Sequence, residues 1–112
     1  MKTSIIINTA VEGFHSWPEA REVFPEAGFL ADRHRHLFHI KAIKPVTHTD
    51  RDVEIIMFKR EVENYIETTY GRPAEFGRKS CEDLCQELLN EFDLDEVHVL
   101  EDLENGAIVQ RA

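Results

Sequence analysis

Basic charge is scarce in this chain: 13 lysines and arginines stand against 22 aspartates and glutamates, a formal net charge of −9. That balance argues against a nucleic-acid partner, which needs a basic footprint to meet phosphates. It argues equally against an anionic membrane surface. Long hydrophobic runs are missing as well. The opening stretch, Met1 to Asn8, holds only Ile5-Ile6-Ile7 as an apolar run, too short for a signal peptide or a membrane span. Cysteine is limited to Cys81 and Cys85. Four apart on a helix, these two lie side by side on a fixed backbone, a poor frame for a disulfide. The expectation is a pair of small buried residues in a reducing, cytoplasmic setting. Repeats, low-complexity segments and linkers are absent, so residues 1–112 are expected to form a single domain. Its 42% hydrophobic content is enough for a core without staples.

The most informative stretch is Arg33-His34-Arg35-His36-Leu37-Phe38-His39-Ile40. In a strand, alternate residues share a face. His34 and His36 then point the same way, with Phe38, Ile40 and Ala42 continuing that face inward. Arg33, Arg35, His39 and Lys41 fall on the other side. The pair either reaches one metal ion or stands as two surface histidines in a polar stretch. A metal would need a third ligand, and His15 is the candidate. It ends the apolar face of a first strand, Ser4 to His15, on which Ile5, Ile7, Thr9, Val11 and Gly13 alternate inward. Gly13 marks a bulge or a point of close backbone approach. Three histidines with an open fourth position are the ligand set of a catalytic zinc site.

The remaining pattern reads in order. Pro18 to Phe24 is a helical turn or two, Pro25 to Gly28 a loop, and Arg33 to Val46 the second strand. Turn chemistry at His48 to Asp52 leads into a third strand, Val53 to Met57, expected to form a hairpin with the second. A helix from about Lys59 to Tyr70 follows, with Phe58, Val62, Tyr65 and Ile66 at helical spacing. Pro73 to Lys79 is a connector. Ser80 and Asp83 have capping-box spacing ahead of a second helix. Its stripe is Cys81, Leu84, Cys85, Leu88, Leu89 and Phe92. Glu96 to Asp102 is a strand, Asn105-Gly106 a tight hairpin turn, and Ala107 to Gln110 the last strand. The expected architecture is α+β, an antiparallel sheet with two helices packed on one face in the order strands, helix, helix, strands.

In this order of elements the chain resembles the 6-pyruvoyl-tetrahydropterin synthase and 6-carboxytetrahydropterin synthase family of the tunnelling fold. That family carries an aromatic–histidine element on its first strand and a His-Gly-His on its second, similar to Gly13-Phe14-His15 and His34-Arg35-His36-Leu37-Phe38. Its strand ending in Phe that opens the first helix looks like Ile55-Ile56-Met57-Phe58. Its second-helix start looks like Lys79-Ser80-Cys81-Glu82-Asp83. Its closing strand, ending in Glu, is similar to Val97-His98-Val99-Leu100-Glu101. The resemblance covers nearly the whole chain. It implies zinc on His15, His34 and His36, a pterin-like or purine-like small molecule, and a homo-oligomer that closes barrels. It also implies that Glu101 anchors the ligand's amino-pyrimidine edge, since a carboxylate can accept two N–H bonds there. Without the resemblance, Glu101 is an exposed carboxylate near a hairpin.

The departures bear on catalysis. The family's cysteine lies shortly before the His-x-His, where this chain has Phe29-Leu30-Ala31-Asp32-Arg33. Its Asp-His pair lies between the helices, where Tyr70 to Lys79 holds neither residue. Arg35 replaces the small glycine between the histidines. Asp32 is the candidate general base, with His48 a second, and both are otherwise solvated turn residues. Cys81 sits at a helix N-terminus, which can lower a thiol pKa, but also on the core stripe. The readings that follow are a zinc-dependent lyase-like enzyme, a non-catalytic tunnelling-fold binding protein, or an α+β interaction module with incidental histidines.

Overall fold

The computed structural model describes residues 1–112. β1 (Thr3–His15) and β2 (His34–Val46) run antiparallel along their whole 13-residue length. Between them lie a short helix, α1 (Ala20–Val23), and a 3-10 segment, Pro25–Ala31. Then follow α2 (Ile55–Tyr70), β3 (Ala74–Gly77), α3 (Cys81–Glu91), β4 (Glu96–Glu101) and β5 (Asn105–Gln110). The result is a mixed α/β fold with a single five-stranded sheet in the order β3-β1-β2-β4-β5.

Three expectations need correction. The sheet is mixed rather than antiparallel, because β3 pairs in parallel with Gly13 to His15 of β1. β3 falls in what reads as a connector; Ala74-Glu75-Phe76-Gly77 is too short to show a period. Second, Val53 to Met57 is not a strand. β2 pairs with β1 along its whole length and with β4 from Phe38 to Ile43, and the segment after the turn does not join the sheet. Instead Glu54 caps α2, its carboxylate accepting from the amides of Ile56 and Met57 at 3.1 Å. Ile55, Ile56 and Met57 form the helix's exposed first turn. Third, Asn105-Gly106 is not the hairpin turn. The turn centres on Asp102 and Leu103, with φ of 55° and 61°, and the Glu104 amide donates to the Glu101 carbonyl. Asn105 and Gly106 open β5 and pair with Glu101 and Leu100. Gly106 is needed for close approach: a Cβ there would lie 1.8 Å from the Val99 carbonyl oxygen.

The core forms as the alternation predicts. Ile7, Phe38, Ile40, Ala42, Val97 and Val99 face inward from the sheet and meet Phe58, Val62 and Ile66 of α2. Cys81, Leu84, Cys85, Leu88 and Leu89 of α3 join the same cluster, with Ala74 and Phe76 of β3 and Leu94. Both cysteines are free and buried. Ser80 and Asp83 form the expected capping box, which offsets the unsatisfied amides of the first turn. Leu88 is 3% exposed, and Leu88→Ala is expected to lower stability by roughly 2–5 kcal/mol through lost burial and the cavity left behind. A change in denaturation free energy below about 0.5 kcal/mol, the surface range, would mean that the stripe is not core.

Candidate metal centre

The β1–β2 register puts His15 directly opposite His34, and His36 opposite Gly13. Strand alternation then turns all three imidazoles to the helix-covered face at one end of the sheet. One ring nitrogen of each lies within 4.8 Å of the other two. Gly13 makes the floor possible. Phe76 and Phe38 occupy the space its side chain would take, with a Cβ there 2.6 Å from Phe76 and 3.2 Å from Phe38. Phe38, fully buried, meets His15 and His36 edge-on at centroid distances of 5.1 and 5.7 Å.

Each Nδ1 atom is already committed. His15 Nδ1 donates to the Lys79 carbonyl at 2.9 Å and His34 Nδ1 to the Asp32 carbonyl at 2.8 Å. His36 Nδ1 donates to the Asp102 carboxylate at 2.8 Å. Carbonyl and carboxylate oxygens only accept, so the three rings carry hydrogen on Nδ1, which leaves Nε2 as the nitrogen free of those acceptors. Such outer partners fix the tautomer and orientation of metal-binding histidines. His36 Nε2 is buried and has no hydrogen-bond partner, an orphan that a metal ion would satisfy. Two ligands of a tetrahedral zinc with 2.0–2.1 Å bonds sit about 3.3 Å apart. Nitrogens within 4.8 Å reach that spacing if each side chain moves by less than about 1 Å. The residues present therefore fit a metal ion.

Glu101 closes the site from β4. Its carboxylate lies 3.0 Å from His15 Nε2 and 3.6 Å from His36 Nε2. The Cys81 thiol donates to it at 3.6 Å and the Asn105 amide at 3.2 Å. Hydrogen bonding to His15 holds the Glu101 carboxyl below the usual carboxylate range. Burial works against charge on His15, but Glu101 and the Lys79 carbonyl outweigh it and raise its pKa. A metal must displace that Nε2 proton. Zinc affinity is therefore expected to rise with pH and to go on rising above 6.5, the ordinary imidazole value, until His15 has lost its proton. An affinity flat from pH 6 to 8 would contradict this.

Beside the histidines opens a cleft of 560 Å³, lined among others by Trp17, Leu30, Cys81, Glu101 and Asn105. That volume suits a small molecule. The candidate bases do not gather here. The Asp32 carboxylate turns to Arg21 at 3.3 Å and is 80% exposed; it is the Asp32 carbonyl that serves His34. His48 lies beyond the far end of β2, roughly 40 Å from His34 along a 13-residue strand. Cys81 does reach Glu101, but burial and that carboxylate push its pKa up to about 12, so it remains a thiol. His39 pairs with Leu100 on β4, and His98 binds Glu96 at 2.5 Å. Both alternate away from the site.

Sequence reading missed Asp102, Asn105 and the two carbonyl acceptors. Asp102 reaches back to His36, and to the Leu37 amide at 2.9 Å, because of its left-handed backbone. Its pKa is held down by the Leu37 amide and by His36. No helix is long and apolar enough to cross a membrane. No protein-family model and no curated protein matches this chain.

Proposed function

We propose that this chain is a zinc-binding protein of the 6-pyruvoyl-tetrahydropterin synthase type that takes a pterin-like or purine-like small molecule in the cleft beside the ion. The observation that carries the reading is the set of three converging imidazoles, each with Nδ1 held by an acceptor, with the Nε2 atoms of His15 and His36 beside Glu101. Incidental histidines have no reason to share this arrangement. When bound, zinc would polarise a ligand oxygen or lower the pKa of bound water. His15, His34 and His36 would hold it. Glu101 accepts N–H groups from an amino-pyrimidine edge, and Trp17 with Leu30 flanks the ring. The free cysteines suit a reducing, cytoplasmic setting.

Proton transfer is the missing part. The Asp32 carboxylate is engaged with Arg21, and the Cys81 thiol stays protonated. General acid–base groups typically supply about 10²–10⁴-fold in rate. The second reading, a binding protein without synthase turnover, draws on this absence. Titrating zinc-loaded protein with pterin, then assaying turnover of a triphosphate-bearing dihydropterin, tests both. Binding with no or very weak turnover is expected. If turnover occurs, Asp32→Asn should abolish it with zinc content unchanged. Absence of any binding to pterin or guanine would overturn the reading.

The assembly reading has its own support. β3 covers only the end of β1, leaving the outer edge of Thr3 to Glu12 unpaired, and β5 forms the opposite edge. Open edges pair readily with other strands. We propose that copies join there into a cyclic or dihedral homo-oligomer, with no nucleic acid or membrane as partner. Light scattering is expected to give a multiple of the 13.0 kDa chain mass. A stable monomer at micromolar concentration would contradict it.

A further inference from the structure

Glu101 stands at the edge of the imidazole cluster, against two of its three rings. Its carboxylate straddles two of the three ligand nitrogens, 3.0 Å from His15 Nε2 and 3.6 Å from His36 Nε2. These distances bracket the separation of about 3.3 Å expected between neighbouring ligands of one tetrahedral zinc. The side chain is only 18% exposed, so it has little water to turn to. Its other contacts, the Cys81 thiol and the Asn105 amide, are neutral donors that steady a carboxylate without neutralising it.

We propose that Glu101 is a ligand of the bound metal when the cleft is empty, and that an incoming 2-aminopyrimidinone ring draws it off. This rests on the metal-centre reading above and adds to it a coupling between the two halves of the site. In the empty protein the ion has three imidazoles and one carboxylate, the closed ligand count of a structural site. A ring entering past Trp17 and Leu30 offers adjacent N–H donors to the same carboxylate. The bond from Glu101 to the ion breaks as two N–H···O bonds form, and a coordination position opens beside the bound ring. Recognition of the ring and exposure of the Lewis acid thereby become one event. Molecules without the paired N–H edge leave the ion closed. Asn105 and Cys81 remain as donors on both sides of the exchange, which limits the reorganisation required.

The test compares wild-type protein with the isosteric Glu101→Gln variant, both loaded with Co²⁺ and titrated with pterin. Co²⁺ absorption reports the ligand set directly, and chelator competition gives affinity. For wild type, pterin is expected to change the visible spectrum. Glu101→Gln should start from an altered spectrum, bind the ion at least about tenfold more weakly, and show no further pterin-dependent change. Circular dichroism confirms that the variant is folded. If its spectrum and metal affinity match wild type, Glu101 is not a ligand and the proposal falls while the three-histidine centre stands. If wild type takes up no Co²⁺ or Zn²⁺, the centre itself is refuted, and the proposal with it.

Discussion

Substituting His36 by Ala is expected to weaken zinc binding by well over 100-fold, more than the roughly 10–100-fold that losing an outer partner costs. His36 carries the buried, unpartnered Nε2, and its ring is set by Asp102 on one side and by the Phe38 edge beneath. Removing it leaves two imidazoles and a carboxylate around a half-emptied site. His15→Ala and His34→Ala should each produce a loss of the same order, since each supplies one of only three imidazoles. Asp102→Ala should fall between these and wild type, at about 10–100-fold, because the His36 ring stays but loses its orientation. His39→Ala and His98→Ala serve as controls. Both rings lie on the opposite sheet face and should leave affinity unchanged. Equal losses from His39→Ala and His36→Ala would reject the ligand assignment.

The second large effect is expected at Gly106. An added methyl would sit 1.8 Å from the Val99 carbonyl oxygen and 2.8 Å from the Leu100 Cα. Both are backbone atoms of the neighbouring strand, so no side chain can swing aside. The β4–β5 hairpin must shift or open. Gly106→Ala is expected to cost at least about 3 kcal/mol, the upper part of the usual overpacking range. It should also lower zinc affinity, because the displaced turn carries Asp102 to His36 and Asn105 to Glu101. Denaturant unfolding and metal titration on the same sample check both. A variant that unfolds like wild type would show that β5 does not approach β4 as described.

What could be read in advance follows the range of the forces involved. α3 was legible because its stripe and capping box are local, repeating features within 11 residues. The three histidines were legible because strand alternation alone turns His34 and His36 to the face that His15 also ends. The register that sets His15 against His34 was not legible, although two long apolar strands make it a natural pairing. β3 escaped notice because its four residues owe their conformation to β1. Val53 to Met57 looked like a strand on β-branched content, but the Glu54 carboxylate caps a helix there, a cap that strand-like content hides. The same holds for the hairpin. Asn-Gly is a strong local turn signal, and here the backbone contact with Val99 claims the glycine instead, moving the turn to Asp102-Leu103. That shift brings Asp102 and Asn105 into the site, so the error about the turn and the failure to see those two residues have one cause. The Lys79 and Asp32 carbonyls could not have been found from residue type at all, since every residue has one.

That three imidazoles from β1 and β2 hold one metal ion is the proposal on which the chemistry of the site depends. Its most direct test is the zinc content of purified protein after exhaustive dialysis, measured beside a triple variant carrying His15→Ala, His34→Ala and His36→Ala. Wild type is expected to hold about one zinc per chain, as three converging protein ligands require, and a triple variant that remains folded by circular dichroism to hold none. A wild type without zinc, even after incubation with the ion, would contradict it, as would zinc retained in full by the triple variant.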